Sequence, residues 1–136
     1  VEHSFYLSIE KKLTSLMGLH PFQSETIQGQ KYEIGEFYKP HWDSFSKDIV
    51  NYEDFVVWQG QRTWTNMVYL NDVEEGGETN FPDLKIKVKP KKGMLLGWNN
   101  LNKDGKRNIL TRHEALPPKS GKKYIITKWW RSFSPF

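Results

Sequence analysis

The 136-residue sequence contains no cysteine. Disulfide frameworks, thiolate metal sites and cysteine nucleophiles are thereby excluded, and any metal must be held by histidine and carboxylate. The same absence is compatible with a reducing or an oxidising compartment. Long apolar runs are missing too, and none approaches the roughly 18 residues that a membrane-spanning helix needs. No basic-then-apolar leader follows Val1, so no targeting segment is expected in this chain; a soluble protein is expected, cytoplasmic if microbial or viral. Repeats, low-complexity tracts and a dividing linker are also lacking, so residues 1–136 are expected to form one domain. Charge of one sign is scarce: 20 Lys and Arg against 16 Asp and Glu leave only +4. Lys85, Lys87, Lys89, Lys91 and Lys92 alternate without interleaved aromatics, which reads as the solvated face and end of a strand rather than a polyanion site. Nucleic acid is therefore not the expected partner.

Aromatic residues are plentiful, with six Trp, six Tyr and eight Phe, enough to build a core. A single helix is predicted over about residues 4–18, where Phe5, Ile9, Leu13, Leu16 and Met17 form one stripe and Gly18 with Pro21 stops it. The rest, about residues 25–133, reads as short strands. Lys31–Tyr38 is aromatic and lacks helical period. Arg62–Leu70 alternates, with Thr63, Thr65, Met67 and Tyr69 on one face and Trp64, Val68 and Leu70 on the other. Lys85–Lys89 turns Ile86 and Val88 inward, and Met94–Trp98 is an apolar run suited to a doubly covered strand. Leu110–Glu114 and Lys123–Phe133 complete the set. Many short strands after one helix predict a mainly β fold, a sandwich or barrel such as a jelly roll. Ser44–Gln61 and Asn99–Asn108 read as long surface loops; the first is either a lid over a bound substrate or a passive insertion.

His41 and Asp43 stand two apart in a strand-like context, so both side chains can converge on one metal ion. His113 is a third donor near the chain end. Two histidines and one carboxylate on one side of a metal, with the opposite positions open, is the arrangement of non-haem Fe(II) oxygenases. Ten residues after His113, Lys123 opens the last strand, and Thr127, Trp129 and Arg131 share its face. A lysine on a barrel-facing strand needs an anion, which a dicarboxylate co-substrate would supply; equally, Lys123 can cap a strand in solvent beside Lys122. His3 and His20 read as surface or capping residues, and Glu74, Glu75 and Glu78 as the solvated tip of the Gly76-Gly77 turn. Trp58, Trp64 and Trp130 read as core or rim.

Four ordered segments resemble the prolyl 4-hydroxylases of the collagen-type, algal and microbial group. Tyr32–Asp43 (YEIGEFYKPHWD) resembles the family's first metal-binding motif, and Arg62–Phe81 (RTWTNMVYLNDVEEGGETNF) its central strand and Gly-Gly-Glu-Thr segment. Lys89–Trp98 (KPKKGMLLGW) is similar to its Pro-Lys-x-Gly turn and buried strand, and Thr111–Trp129 to its closing motif. The resemblance runs from about Thr26 to Arg131. It implies a double-stranded β-helix (jelly roll, cupin-like) with an N-terminal helix, using Fe(II), with 2-oxoglutarate and O2 as co-substrates and ascorbate as a stimulant. His41, Asp43 and His113 then resemble the metal ligands, and Lys123 the partner of the far carboxylate of 2-oxoglutarate. Tyr32 and Thr127 resemble further co-substrate contacts, with Tyr69 and Met67 lining the same pocket. Tyr38, Arg62, Trp129 and Arg131 resemble positions facing a peptide. Two departures stand out: the family often carries His where Arg131 stands, and Pro117-Pro118 replaces its Pro-Val. The implied activity is hydroxylation of proline in a peptide or protein, yielding succinate and CO2. Its rivals are the same oxidant acting on another side chain, a free amino acid or a base, and a silent jelly-roll binding module.

Overall fold

The computed structural model describes residues 2–135. One long helix, α1 (Glu2–Met17), precedes eight strands: β1 (Gln28–Tyr32), β2 (Tyr38–His41), β3 (Arg62–Tyr69), β4 (Thr79–Phe81), β5 (Ile86–Val88), β6 (Leu95–Asn99), β7 (His113–Ala115) and β8 (Lys123–Arg131). A short helix, α2 (Tyr52–Val56), lies within the long 44–61 loop. The strands form two four-stranded antiparallel sheets, a major sheet ordered β1-β8-β3-β6 and a minor sheet ordered β2-β7-β4-β5. Successive strands repeatedly cross from one sheet to the other, as the double-stranded β-helix requires. Between them lies a core of Tyr32, Met67, Tyr69, Phe81, Trp98 and Ile125. No helix among the described residues is long and apolar enough to cross a membrane.

The predicted strand 31–38 is two strands in different sheets. Gly35, at φ 84°, allows the turn, and the Glu36 carboxylate accepts from the Glu33 amide at 2.7 Å. That break moves Tyr32 and His41 onto opposite walls of the sandwich. The segment 110–114 also divides. Asn108 accepts from the Leu110 amide at 3.2 Å and turns 109–111 into a 3-10 helix, so the strand begins only at His113.

Burial differs from expectation at three places. Of the predicted helical stripe, Leu13 is buried, whereas Phe5 and Leu16 remain 65% and 63% exposed. Phe5, Ile9 and Leu13 of the helix line one cleft with Val68, Leu95 and Ile126 of the major sheet, and of these helix residues only Leu13 is buried. The helix's other anchor is ionic. Glu10 pairs with Lys128 at 2.7 Å, and Lys128 also donates to the Glu25 carbonyl at 3.0 Å. Ile86 is exposed rather than inward, because β5 is a three-residue edge strand whose first residue overhangs the layer. The run 94–98 is likewise an edge strand. Leu96 and Trp98 face the core while Leu95 faces out toward helix α1, which covers it only in part.

Candidate active site

His41 and His113 sit directly opposite each other on paired strands β2 and β7, with ring centroids 4.4 Å apart. Asp43 follows His41 by one strand period and is buried where the chain leaves the sheet. Its Oδ1 lies 3.5 Å from His41 Nε2 and 3.4 Å from His113 Nε2. These contacts are long for hydrogen bonds, and the three donor atoms all lie within 4.8 Å of one another.

Outer contacts orient each donor. His41 Nδ1 donates to the Lys39 carbonyl at 2.8 Å and His113 Nδ1 to the Thr111 carbonyl at 2.9 Å. A carbonyl can only accept, so each ring carries a proton on Nδ1, and Nε2 is the ring atom turned inward. The Thr65 hydroxyl donates to Asp43 Oδ2 at 2.7 Å, leaving Oδ1 for the site, and Asn100 in turn donates to Thr65 Oγ1 at 2.9 Å. Burial alone would raise the Asp43 carboxyl. The contacts with His113 and His41, with the Thr65 hydroxyl, outweigh it and hold the carboxyl well below the usual range. Two imidazoles and one carboxylate, each fixed from behind, form a donor set that fits Fe(II).

The triad opens into a cavity of about 350 Å³ between the sheets. Lys123 lines it from β8, paired in register with Tyr32 of β1, and is 1% exposed. Its Nζ donates to the Gly77 carbonyl at 2.9 Å and lies 4.7 Å from the Tyr32 ring centroid. Burial pulls its ammonium down to about 8, opposed only in part by the charge of Glu78. Of the two sequence readings, the solvent-facing cap is excluded by that burial. An ammonium with three donors and one carbonyl partner is a cradle for an anion.

Tyr32, Met67 and Thr127 also line the cavity, as do Tyr38, Arg62 and Trp129. Tyr69 does not: it is fully buried behind Thr79, its hydroxyl 2.6 Å from Thr79 Oγ1. Arg131 is also off the wall, held under the 44–61 segment by carbonyl contacts. Sequence reading missed Gln28, Gln30, Thr79, Trp98 and Glu114 as cavity residues. Gln28 and Gln30 alternate with Tyr32 on β1, a period-two signal that lies ahead of the predicted 31–38 strand.

A double-stranded β-helix holding a two-histidine, one-carboxylate triad and a buried ammonium in one cavity defines an oxygenase-type metal site. The sequence profile of the 2OG-Fe(II) oxygenase superfamily matches residues 27–131. Among curated proteins, the chain is 34% identical to chicken (Gallus gallus) prolyl 4-hydroxylase subunit alpha-2 over 90% of its length. It is 35% identical to the human (Homo sapiens) alpha-1 subunit over 89%. The chain spans 22% of the length of each of these relatives. Among solved structures, the viral collagen prolyl hydroxylase of Paramecium bursaria Chlorella virus-1, in its 2OG complex, superposes with a TM-score of 0.80 at 33% identity, covering 98% of this chain and 75% of that one. The chain belongs to the 2OG-Fe(II) oxygenase superfamily. Family and donor set together give Fe(II) and 2-oxoglutarate as its metal and co-substrate.

Proposed function

We propose that residues 1–136 form a single catalytic domain of an Fe(II)- and 2-oxoglutarate-dependent hydroxylase acting on proline in a peptide or protein. The observation that carries it is the buried, anion-seeking Lys123 ammonium in the same cavity as the His41–Asp43–His113 triad. The collagen-directed name of the viral neighbour and the prolyl 4-hydroxylase names of the curated relatives support proline as the target.

In this reading His41 Nε2, Asp43 Oδ1 and His113 Nε2 hold the metal. Lys123 meets the far carboxylate of 2-oxoglutarate, and Tyr32 and Thr127 contact the same molecule. Bound Fe(II), with 2-oxoglutarate and O2, supplies an oxidant that places one oxygen atom on a C–H bond and the other in succinate as CO2 leaves; ascorbate serves as a stimulating reductant. The protein's part is orientation and shielding. Met67, Trp98 and Ile125 give the cavity apolar walls that keep water from the reacting centre, and Thr65 fixes which Asp43 oxygen faces it. Tyr38, packed 4.1 Å from the His41 ring centroid, and the Arg62–Trp129 pair flank the opening where a peptide would enter.

Anaerobic reconstitution with Fe(II) and 2-oxoglutarate, followed by air and mass spectrometry of a proline-rich peptide panel, tests this. A gain of about 16 Da on proline with matching succinate is expected. Absence of succinate with every peptide, at confirmed metal occupancy, would leave the fold as a binding module.

A further inference from the structure

Arg131 ends β8 on the face that carries Lys123, Thr127 and Trp129, yet the cavity does not receive it. Its guanidinium is 7% exposed; Nε and Nη2 donate to the Gly60 carbonyl at 3.0 and 2.6 Å, and Nη2 also donates to the Phe55 carbonyl. Both acceptors belong to the 44–61 segment. At Gly60, φ is 72° and a Cβ would fall 2.7 Å from Phe133 Cε1 and Ser132 Cβ, so only glycine lets the segment come this close to the end of β8.

The neck of the segment is fastened separately. Phe45 N donates to Gln61 Oε1 at 2.6 Å, and Gln61 Nε2 donates to the Phe45 carbonyl at 2.9 Å. The Phe45 ring is shared by two cations, with Arg131 Cζ 5.0 Å and Arg62 Cζ 4.7 Å from its centroid. Glu25 is shared by the same two. It takes Arg62 bidentately at 2.6 and 2.9 Å and lies 3.7 Å from Arg131 Nη1. Arg62 then lies 4.1 Å over the Trp129 ring, and those two residues line the cavity.

We propose that Arg131 is a positioning residue: it clamps the 44–61 segment onto β8 and, through Phe45 and Glu25, sets the Arg62–Trp129 pair that receives a peptide at the cavity opening. The coupling to peptide rests on the hydroxylase reading above; the clamp does not. The planar fork of arginine suits the role, because it reaches two carbonyls, faces a ring and meets a carboxylate at once. Lysine keeps the charge but not the fork. Methionine keeps the bulk alone.

The test compares wild type, Arg131→Met, Arg131→Lys and Phe45→Leu, each as the Fe(II)-loaded full chain. Amide hydrogen exchange reads the clamp without any peptide. Exchange at Tyr52–Gly60 should accelerate at least tenfold in Arg131→Met and less in Arg131→Lys. Anaerobic 2-oxoglutarate affinity should stay within about twofold, because Lys123 lies at the other end of β8. With a proline-rich peptide, KM should rise at least tenfold in Arg131→Met while kcat changes less than threefold, and Arg131→Lys should fall between. Phe45→Leu should reproduce the KM rise more weakly, and it carries the test if Arg131→Met does not fold. Unchanged exchange at 52–60 overturns the clamp. Faster exchange with unchanged peptide KM overturns its coupling to the opening. Failure of wild type to hydroxylate any peptide sinks the functional reading, and the exchange result then still decides the clamp.

Discussion

Each histidine of the triad gives its Nδ1 proton to a carbonyl two residues back, Lys39 for His41 and Thr111 for His113. The short spacing makes the ring orientation a local property of the backbone, so replacing a ring should remove a metal ligand without disturbing the strands. His41→Ala, Asp43→Ala and His113→Ala are each expected to retain less than about a tenth of wild-type turnover at limiting Fe(II), with the circular dichroism spectrum unchanged. Lys123 is the second decisive residue. If Lys123 pairs with the far carboxylate of 2-oxoglutarate as proposed, removing its ammonium would leave that carboxylate buried and unpaired at a cost of ~3–5 kcal/mol, so Lys123→Ala should weaken 2-oxoglutarate binding at least ~100-fold while Fe(II) affinity holds. Lys122→Ala is the control, since Lys122 is exposed and faces Glu33 across 3.5 Å. The ammonium titrates at about 8, so it is charged at pH 7 and largely neutral at pH 9. Apparent 2-oxoglutarate affinity should therefore fall about tenfold between those pH values. Ligand-free stability runs the other way. Between about 8 and the ordinary lysine value near ~10.4, the unfolded chain holds a proton that the folded chain has released, so this residue's contribution to stability rises with pH across that window. Urea unfolding of wild type and Lys123→Met at pH 7.5 and 9.5 checks the sign: the substitution should favour the folded state more at the lower pH.

At the scale of elements, β3 supports the metal site although it supplies no ligand. Thr65 is fully buried and ties Asp43 to Asn100, so Thr65→Val should lower Fe(II) affinity about 10–100-fold, measured by anaerobic titration, with little change in the strand. Helix α1 is held by a largely buried ion pair as well as by Leu13 of its apolar stripe. Lys128 is 3% exposed and Glu10 17%, so Glu10→Ala should cost about 3 kcal/mol by leaving Lys128 buried with only the Glu25 carbonyl; adding Lys128→Met should recover much of it. Chemical denaturation of the single and double variants measures both. The amphipathic stripe was legible in the sequence, but its partner was not. Phe5 and Leu16 lie on the predicted face yet stay exposed, and of the stripe only Leu13 is buried against the sheet. Strand β3, with its period-two alternation over eight residues, matched expectation closely. β4 and β7, at three residues each, carry too few positions for any period to register, whereas the alternation over 85–89 does locate β5 but misjudges the burial of Ile86.

At the scale of the whole molecule, the cavity exists because the chain changes sheet at Gly35, between β1 and β2, and again between β7 and β8. Those crossings bring Lys123 on the major sheet and the histidines on the minor sheet to one enclosed space. Filling it should stabilise the fold as a unit: 2-oxoglutarate at about 100 times its dissociation constant, with metal present, should add about 2.7 kcal/mol and raise Tm, and Lys123→Ala should cut that gain to about 0.4 kcal/mol or less at the same concentration. The sequence by itself determined what depends on near neighbours or on a family's ordered motifs. His41 and Asp43 share a face by the two-residue period, Lys123 and Thr127 do the same on β8, and the absence of cysteine restricts the metal to nitrogen and oxygen donors. Only the tertiary structure decided what depends on contacts across the fold. Tyr69 and Arg131 obey the same alternation as Met67 and Trp129, yet Thr79 screens the first and the 44–61 segment covers the second. Strand periodicity states the side of the sheet on which a residue stands, but what stands opposite comes from distant parts of the chain, and that neighbour settles whether the residue meets a ligand, the core or a loop.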